Sequence, residues 1–176
     1  GRRGEKVCLS LSDAQGAGEG RDAPGKLTEP RCGLRTEDGK MSDTLYKIAI
    51  PTRNHTQMLL ITREVEHIVE KSGVKNGICV VFSPYSTSCV TINENADPSV
   101  RTDIMKTMDK LVPWEDGYRH QEGNSAAHIK SSLMDFSEVI IIEDGKLLLG
   151  KYQGIFFLEY DGPREDRMVY VKIIEG

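Results

Sequence analysis

Aromatic side chains are scarce in this chain of 176 residues, which has one Trp, six Tyr and four Phe. None of them falls within residues 1–40. That segment instead holds 8 of the 17 glycines, and its charges nearly cancel, with 8 Lys and Arg against 7 Asp and Glu. Such a composition cannot bury enough apolar surface to offset the entropy of ordering the chain. Residues 1–40 therefore read as a disordered N-terminal extension, and residues 41–176 as one folded domain beginning near Met41. The acidic residues of the extension argue against an organellar transit peptide.

Other absences narrow the function. The formal net charge is −4 and no basic block stands out, so a nucleic-acid partner is not expected, because phosphate neutralisation needs clustered Lys and Arg. No apolar run approaches the roughly 20 residues that cross a bilayer, and no membrane partner is expected. The start, Gly1-Arg2-Arg3-Gly4, has no apolar stretch of the secretory type. The four cysteines, Cys8, Cys32, Cys79 and Cys89, form no CxxC pair and imply no disulfide framework. Cys79 lies in an apolar run and reads as a buried thiol. A reducing cytoplasm is the expected compartment.

What is present is a strand-rich domain. Leu45–Ile50, Gln57–Ile61, Gly77–Phe82 and Ser88–Asn93 read as strands. Between the second and third, Thr62 can cap a helix from Arg63 to about Lys71, striped by Val65, Ile68 and Val69 and stopped by Gly73. Asp97-Pro98 opens a second helix with Val100, Ile104, Met108 and Leu111 on one face. A short helix follows, capped by Asn124 or Ser125 and running to about Leu133. Val139–Ile142, Asp144-Gly145 and Lys146–Leu149 make a hairpin signature. Strands at Gln153–Tyr160 and Met168–Ile174 close the domain. The expected class is α+β: a single domain with a mostly antiparallel, barrel-like or sandwich-like β-sheet, two main helices and one short helix. Ile140-Ile141-Ile142 and Phe156-Phe157-Leu158 present apolar groups to both sides of the sheet, so a second copy of the chain is an expected cover.

Three polar segments carry candidate chemistry. In Asn93-Glu94-Asn95-Ala96-Asp97-Pro98, two carboxylates stand at a strand-to-helix junction. They either hold a cation, or Asp97 caps the helix while Glu94 is a solvated loop residue. The helix start also offers free amides to an anion. In His120-Gln121-Glu122-Gly123-Asn124-Ser125-Ala126-Ala127-His128, two imidazoles flank a carboxylate. That set suits a metal or acid–base catalysis, although the spacing matches no tight zinc motif. Ser83–Cys89, Ser-Pro-Tyr-Ser-Thr-Ser-Cys, can line a phosphate pocket with hydroxyls, and Cys89 is a nucleophile only with a depressed pKa. His55 and His67 carry no such context.

Several segments, in order, resemble one family. They are Thr91–Pro98 with Val100-Arg101, Glu122–Lys130, Gly145, Leu147, Leu149-Gly150, Gln153–Phe156 and Asp161-Gly162-Pro163-Arg164. Together they are similar to the YjbQ family, small proteins described as secondary thiamine-phosphate synthase enzymes. The resemblance covers about residues 45–175. It implies an α+β fold, a homotrimer, and a site of His and acidic residues near the subunit boundary. The activity it implies joins a pyrimidine pyrophosphate to a thiazole phosphate.

The resemblance assigns catalysis to His120, Glu122 and Asp97, and a divalent metal (zinc, magnesium or manganese) to His120, His128, Glu94 and Asp97. Tyr85, Ser86, Thr87, Asn93, Asn124 and Ser125 are the expected ligand-binding residues. One departure stands out: the family's His before Thr-Ile-Asn-Glu is Tyr85 here, and a phenol titrating near about 10 is a poor metal ligand. A milder departure is Gly150-Lys151-Tyr152-Gln153 for Gly-Thr-Trp-Gln. The expected function is a metal-assisted enzyme acting on a phosphorylated small molecule. A catalytically degenerate trimeric module that binds a small anion is the alternative, and a purely structural protein a third reading.

Overall fold

The computed structural model describes residues 8–10 and 45–176. Cys8–Ser10 (β1) form a strand, and the rest of the extension read for residues 1–40 lies outside the described residues. The domain follows as β2 (Leu45–Ala49), β3 (Gln57–Leu60), α1 (Thr62–Ser72), β4 (Gly77–Phe82), β5 (Ser88–Glu94), α2 (Pro98–Leu111), α3 (Ser125–Ser132), β6 (Ser137–Glu143), β7 (Lys146–Leu147), β8 (Gln153–Glu159) and β9 (Met168–Glu175).

These strands make a six-stranded sheet of order β1-β2-β9-β4-β6-β7 and a three-stranded sheet of order β3-β8-β5. Every pairing is antiparallel except that of β1 with β2. The fold is α+β, as expected. Alternation decides what packs where. From the large sheet, Ile48, Cys79, Val81, Ile140, Ile142, Val169 and Val171 point inward against Val65, Ile68 and Val69 of α1. Val90, Ile155 and Phe157 of the small sheet close the same core. The small sheet's other face carries Cys89, Phe156, Leu158 and Tyr160, and packs on Ala127 of α3 and Ile104 and Met105 of α2. The continuous run Phe156-Phe157-Leu158 is thus buried on both faces.

Local chemistry sets the boundaries. Gly73 closes α1 at φ +72°. Asp144 and Gly145, at φ +52° and +78°, supply the two left-handed residues of the β6–β7 hairpin turn. Asp97 caps α2, its carboxylate accepting from the Ser99 N–H at 2.8 Å. Two expectations are corrected. Thr62 does not cap α1; it lies inside the helix, and its hydroxyl accepts the Ile155 N–H, tying α1 to β8. Leu111 does not join the apolar face of α2 but stands 68% exposed in its last turn.

The outer face of the large sheet carries an apolar patch that no described residue covers. Ile141 pairs with Ile78, which pairs in turn with Ile174, and Val139 pairs with Val80. Val139, Ile141, Ile78 and nearby Phe82 are all exposed large hydrophobics.

Candidate functional site

Ala126 and Ala127 are fully buried, and their small side chains let α3 lie close on the small sheet. That contact brings the start of α3 against the loop after β8. Asn124 occupies the N-cap position, but its side chain does not cap. It donates from Nδ2 to Asp161 Oδ2 at 3.3 Å. Asp161 is locked by Arg164, which gives it an Nη2 contact of 2.6 Å and an Nε–H bond to its carbonyl. The same carboxylate holds the Arg164 guanidinium above its ordinary pKa. Gly162 sits where a Cβ would stand 2.2 Å from the Asn54 carbonyl oxygen. The absence of a side chain there lets its N–H bond the His55 carbonyl, drawing Asp161 toward the loop before β3. In that loop the His55 ring meets Trp114 edge-on at 4.2 Å.

On this frame the rings of His120 and His128 stand 5.3 Å apart, edge to face. Glu122 Oε2 lies 3.8 Å from His120 Nε2. His128 Nε2 and Asn124 Oδ1 are buried without a hydrogen-bond partner. Leaving a buried polar atom unpaired costs about 1–3 kcal/mol, and these two stand four residues apart at the start of α3; the Tyr160 hydroxyl is a third such atom.

The other expected residues are spent differently. Glu94 accepts the Ala96 N–H and Asp97 the Ser99 N–H; that bond holds the Asp97 carboxyl below its ordinary pKa. Asn93 accepts the N–H of Glu94 beside it. Three hydroxyls of Ser83–Cys89 are engaged inside the protein. Ser83 and Ser88 bond each other at 2.8 Å, and Thr87 accepts from Arg167, all in the interior. Tyr85 donates to the Asp166 carbonyl and accepts the Met168 N–H, each at 3.0 Å, with Arg167 over its ring. Ser86 receives the Ser131 hydroxyl on its carbonyl. Ser125 is half-buried at the first turn of α3. Cys89 is buried, and desolvation pushes its thiol up to about 12, so it is no nucleophile. Cys79 is a buried thiol, as expected.

The expected metal set is therefore not gathered in one chain. Among the described residues no three His, Cys, Asp or Glu side chains group as metal ligands. His120 and His128 suit two positions on a zinc-like ion by donor chemistry and by the unpartnered Nε2, but Glu94 and Asp97 do not join them. A catalytic zinc takes three protein ligands, and the described residues of one chain do not supply that number here.

The profile of the family described as UPF0047 protein YjbQ-like matches residues 46–176. The chain belongs to the YjbQ family. The YjbQ domain is 51% identical over 130 residues to a UPF0047 protein of Methanocaldococcus jannaschii, covering 74% of this chain and 94% of that protein. It is 44% identical to the UPF0047 protein YugU of Bacillus subtilis, covering 74% and 98%. A crystal structure of a family member from Clostridium acetobutylicum superposes with TM-score 0.70 at 53% identity, over 74% of this chain and 99% of that one. A Sulfolobus solfataricus structure titled as a protein of unknown function gives 0.74 at 32% identity, over 78% and 100%.

Sequence reasoning did not assign Asp161 and Arg164 to the site, although both stand in the Asp161–Arg164 motif that supported the resemblance. Nor did it find the buried pair of Arg167 and Glu159, which meet at 2.6 and 2.8 Å. A Glu inside an apolar strand, eight residues before an Arg, was the available signal. Among the described residues no helix is long and apolar enough to cross a membrane.

Proposed function

We propose that the YjbQ domain is an enzyme acting on a phosphorylated small molecule at the His120–His128 site, with a thiamine-phosphate-synthase-like transfer as the reaction to assay first. The observation that carries the reading is His128 Nε2, buried and unpartnered beside a second imidazole. Asn124 Oδ1 supplies an acceptor for a hydroxyl or amine of the ligand. His120, exposed and paired with Glu122, suits proton delivery to a departing phosphate oxygen. As the C–O bond breaks to release pyrophosphate and the thiazole nitrogen bonds the same carbon, an imidazolium at this place offsets the growing negative charge on the leaving group. The Asp161–Arg164 pair holds Asn124 and is a positioning element. A divalent ion held by His120 and His128 would supply Lewis-acid neutralisation of the phosphate in place of the His120 proton.

A homotrimer belongs to the same proposal. The apolar outer face of the large sheet needs a cover, and further copies of the chain supply one of matching chemistry.

The experiment is product formation from a pyrimidine pyrophosphate and a thiazole phosphate by the full chain, compared with His128→Asn. The reading expects turnover that falls at least about a hundredfold in the variant, the lower range for a lost acid–base group. Equal turnover in both proteins overturns it.

A second reading is a binding module without turnover. It draws on Tyr85, whose hydroxyl is fully engaged by Asp166 and Met168 where the family has His. Binding of pyrophosphate without product formation favours this reading, and a gain of turnover in Tyr85→His decides for degeneration.

A further inference from the structure

We propose a second small-molecule site, separate from the histidine pair: the cleft between β3 and α2, which takes an aryl or heteroaryl phosphate. The cleft measures about 430 Å³, within the size range of ligand pockets. None of His120, Glu122, Asn124 or His128 lines it.

Its lining mixes apolar and polar groups. Met58, Met105 and Pro98 are the apolar members, Met58 buried and Pro98 exposed at the mouth. Two thioethers in one lining favour a flat π-system, which sulfur contacts at its edge or face. Arg101, Thr102 and Lys106 line the α2 side at helical spacing, and Gln57 faces them from β3. The Gln57 carbonyl oxygen is occupied by the N–H groups of Arg53 and Asn54, so its NH₂ is the end left to donate. Neither Arg101 nor Lys106 forms an ion pair among the described residues. The Arg101 guanidinium lies 5.9 Å from the Phe156 ring centroid, which limits its freedom and lowers the cost of fixing it on an anion.

The one carboxylate of the lining does not oppose an anion. Asp109 Oδ1 is bound at 2.6 Å by Lys130 Nζ, an ammonium only 2% exposed. The pair is charge-neutral, so Arg101 and Lys106 set the sign of the cleft. In a chain of net charge −4, this is a local reversal. A phosphate takes the forked donors of Arg101 with Lys106 and the Thr102 hydroxyl, while its ring covers the methionines.

The test uses the full chain and phenyl phosphate as probe, followed by backbone amide NMR. Saturable shifts are expected at Arg101, Thr102 and Lys106, stronger with phenyl phosphate than with inorganic phosphate and weakened by added salt. Arg101→Gln is expected to weaken binding about tenfold, the effect of one charge-assisted hydrogen bond. His128→Asn is expected to leave these shifts unchanged, which separates this site from the proposed catalytic one. Lys106→Gln supplies the second variant should Arg101→Gln perturb folding. Absence of saturable α2 shifts, equal affinity in the Arg101 and Lys106 variants, or loss of the shifts in His128→Asn overturns the proposal. Equal affinity for inorganic phosphate overturns the aryl assignment.

Discussion

His128 points a buried, unpartnered Nε2 from α3 while the His120 ring stands edge-on to it at 5.3 Å. The two rings come from either side of a loop that is tied down by Asn124, Asp161 and Arg164. Asn124 is the joint of this arrangement, since one end of its amide bonds Asp161 and the other is unmet.

Arg164→Ala should act on the site through Asp161. The carboxylate loses its guanidinium partner, and Asn124 is no longer fixed. Arg164 is half-exposed, so the stability cost should be under about 1 kcal/mol. Ligand affinity should fall more than thermal stability does. Calorimetry with pyrophosphate alongside a melting curve checks the split.

Arg167→Ala should destabilise the domain by about 3–5 kcal/mol, because it strands the Glu159 carboxylate in the interior. Glu159 is fully buried and also takes the Thr52 hydroxyl and the Tyr160 and Asp161 N–H groups. Denaturant unfolding with an unchanged m-value would report this loss.

Tyr85→Phe removes a donor to Asp166 and an acceptor for Met168. A cost of about 1–3 kcal/mol is expected from two lost hydrogen bonds. Chemical denaturation measures it, and no loss would free Tyr85 for a ligand role.

Asp97 should make a pH-dependent contribution to α2. Its folded pKa is depressed by the Ser99 bond, so the stabilisation is present above the unfolded carboxylate pKa and is lost as pH falls through the folded value. Asp97→Asn keeps an acceptor without a charge. Its stability should therefore match wild type more closely in acid than at neutral pH. Thermal melts across that range check the sign.

Ile141→Lys should break any assembly built on the outer sheet face while leaving the fold intact. Ile141 is 55% exposed and centred among Ile78, Val139 and Ile174. Light scattering behind gel filtration should show a trimeric mass for wild type and a monomeric mass for the variant. A monomeric wild type contradicts the trimer.

The strands and helices were legible because their signals are local: alternation in β2 and β9, the Asp-Gly turn of the hairpin, the Asp97-Pro98 cap. Thr62 misled because its hydroxyl is claimed by β8, a partner 93 residues away. The hydroxyl loop shows the same dependence on distant partners: Thr87 is held by Arg167, 80 residues away, while Ser83 and Ser88 hold each other. His120 and His128 come together as their shared loop suggested. Glu94 and Asp97 do not join them, since each carboxylate satisfies the nearest free amide. The α2–β3 cleft had no local signature, because its two walls lie some forty residues apart in the chain.

The most direct test of the catalytic reading is the side-chain NMR of His120 and His128 in the full chain titrated with inorganic pyrophosphate. The account predicts saturable shifts of both imidazoles that persist in Arg101→Gln, and loss of the His120 response in His128→Asn while the melting temperature is retained. Imidazole signals that do not move at saturating pyrophosphate in a folded protein would contradict it.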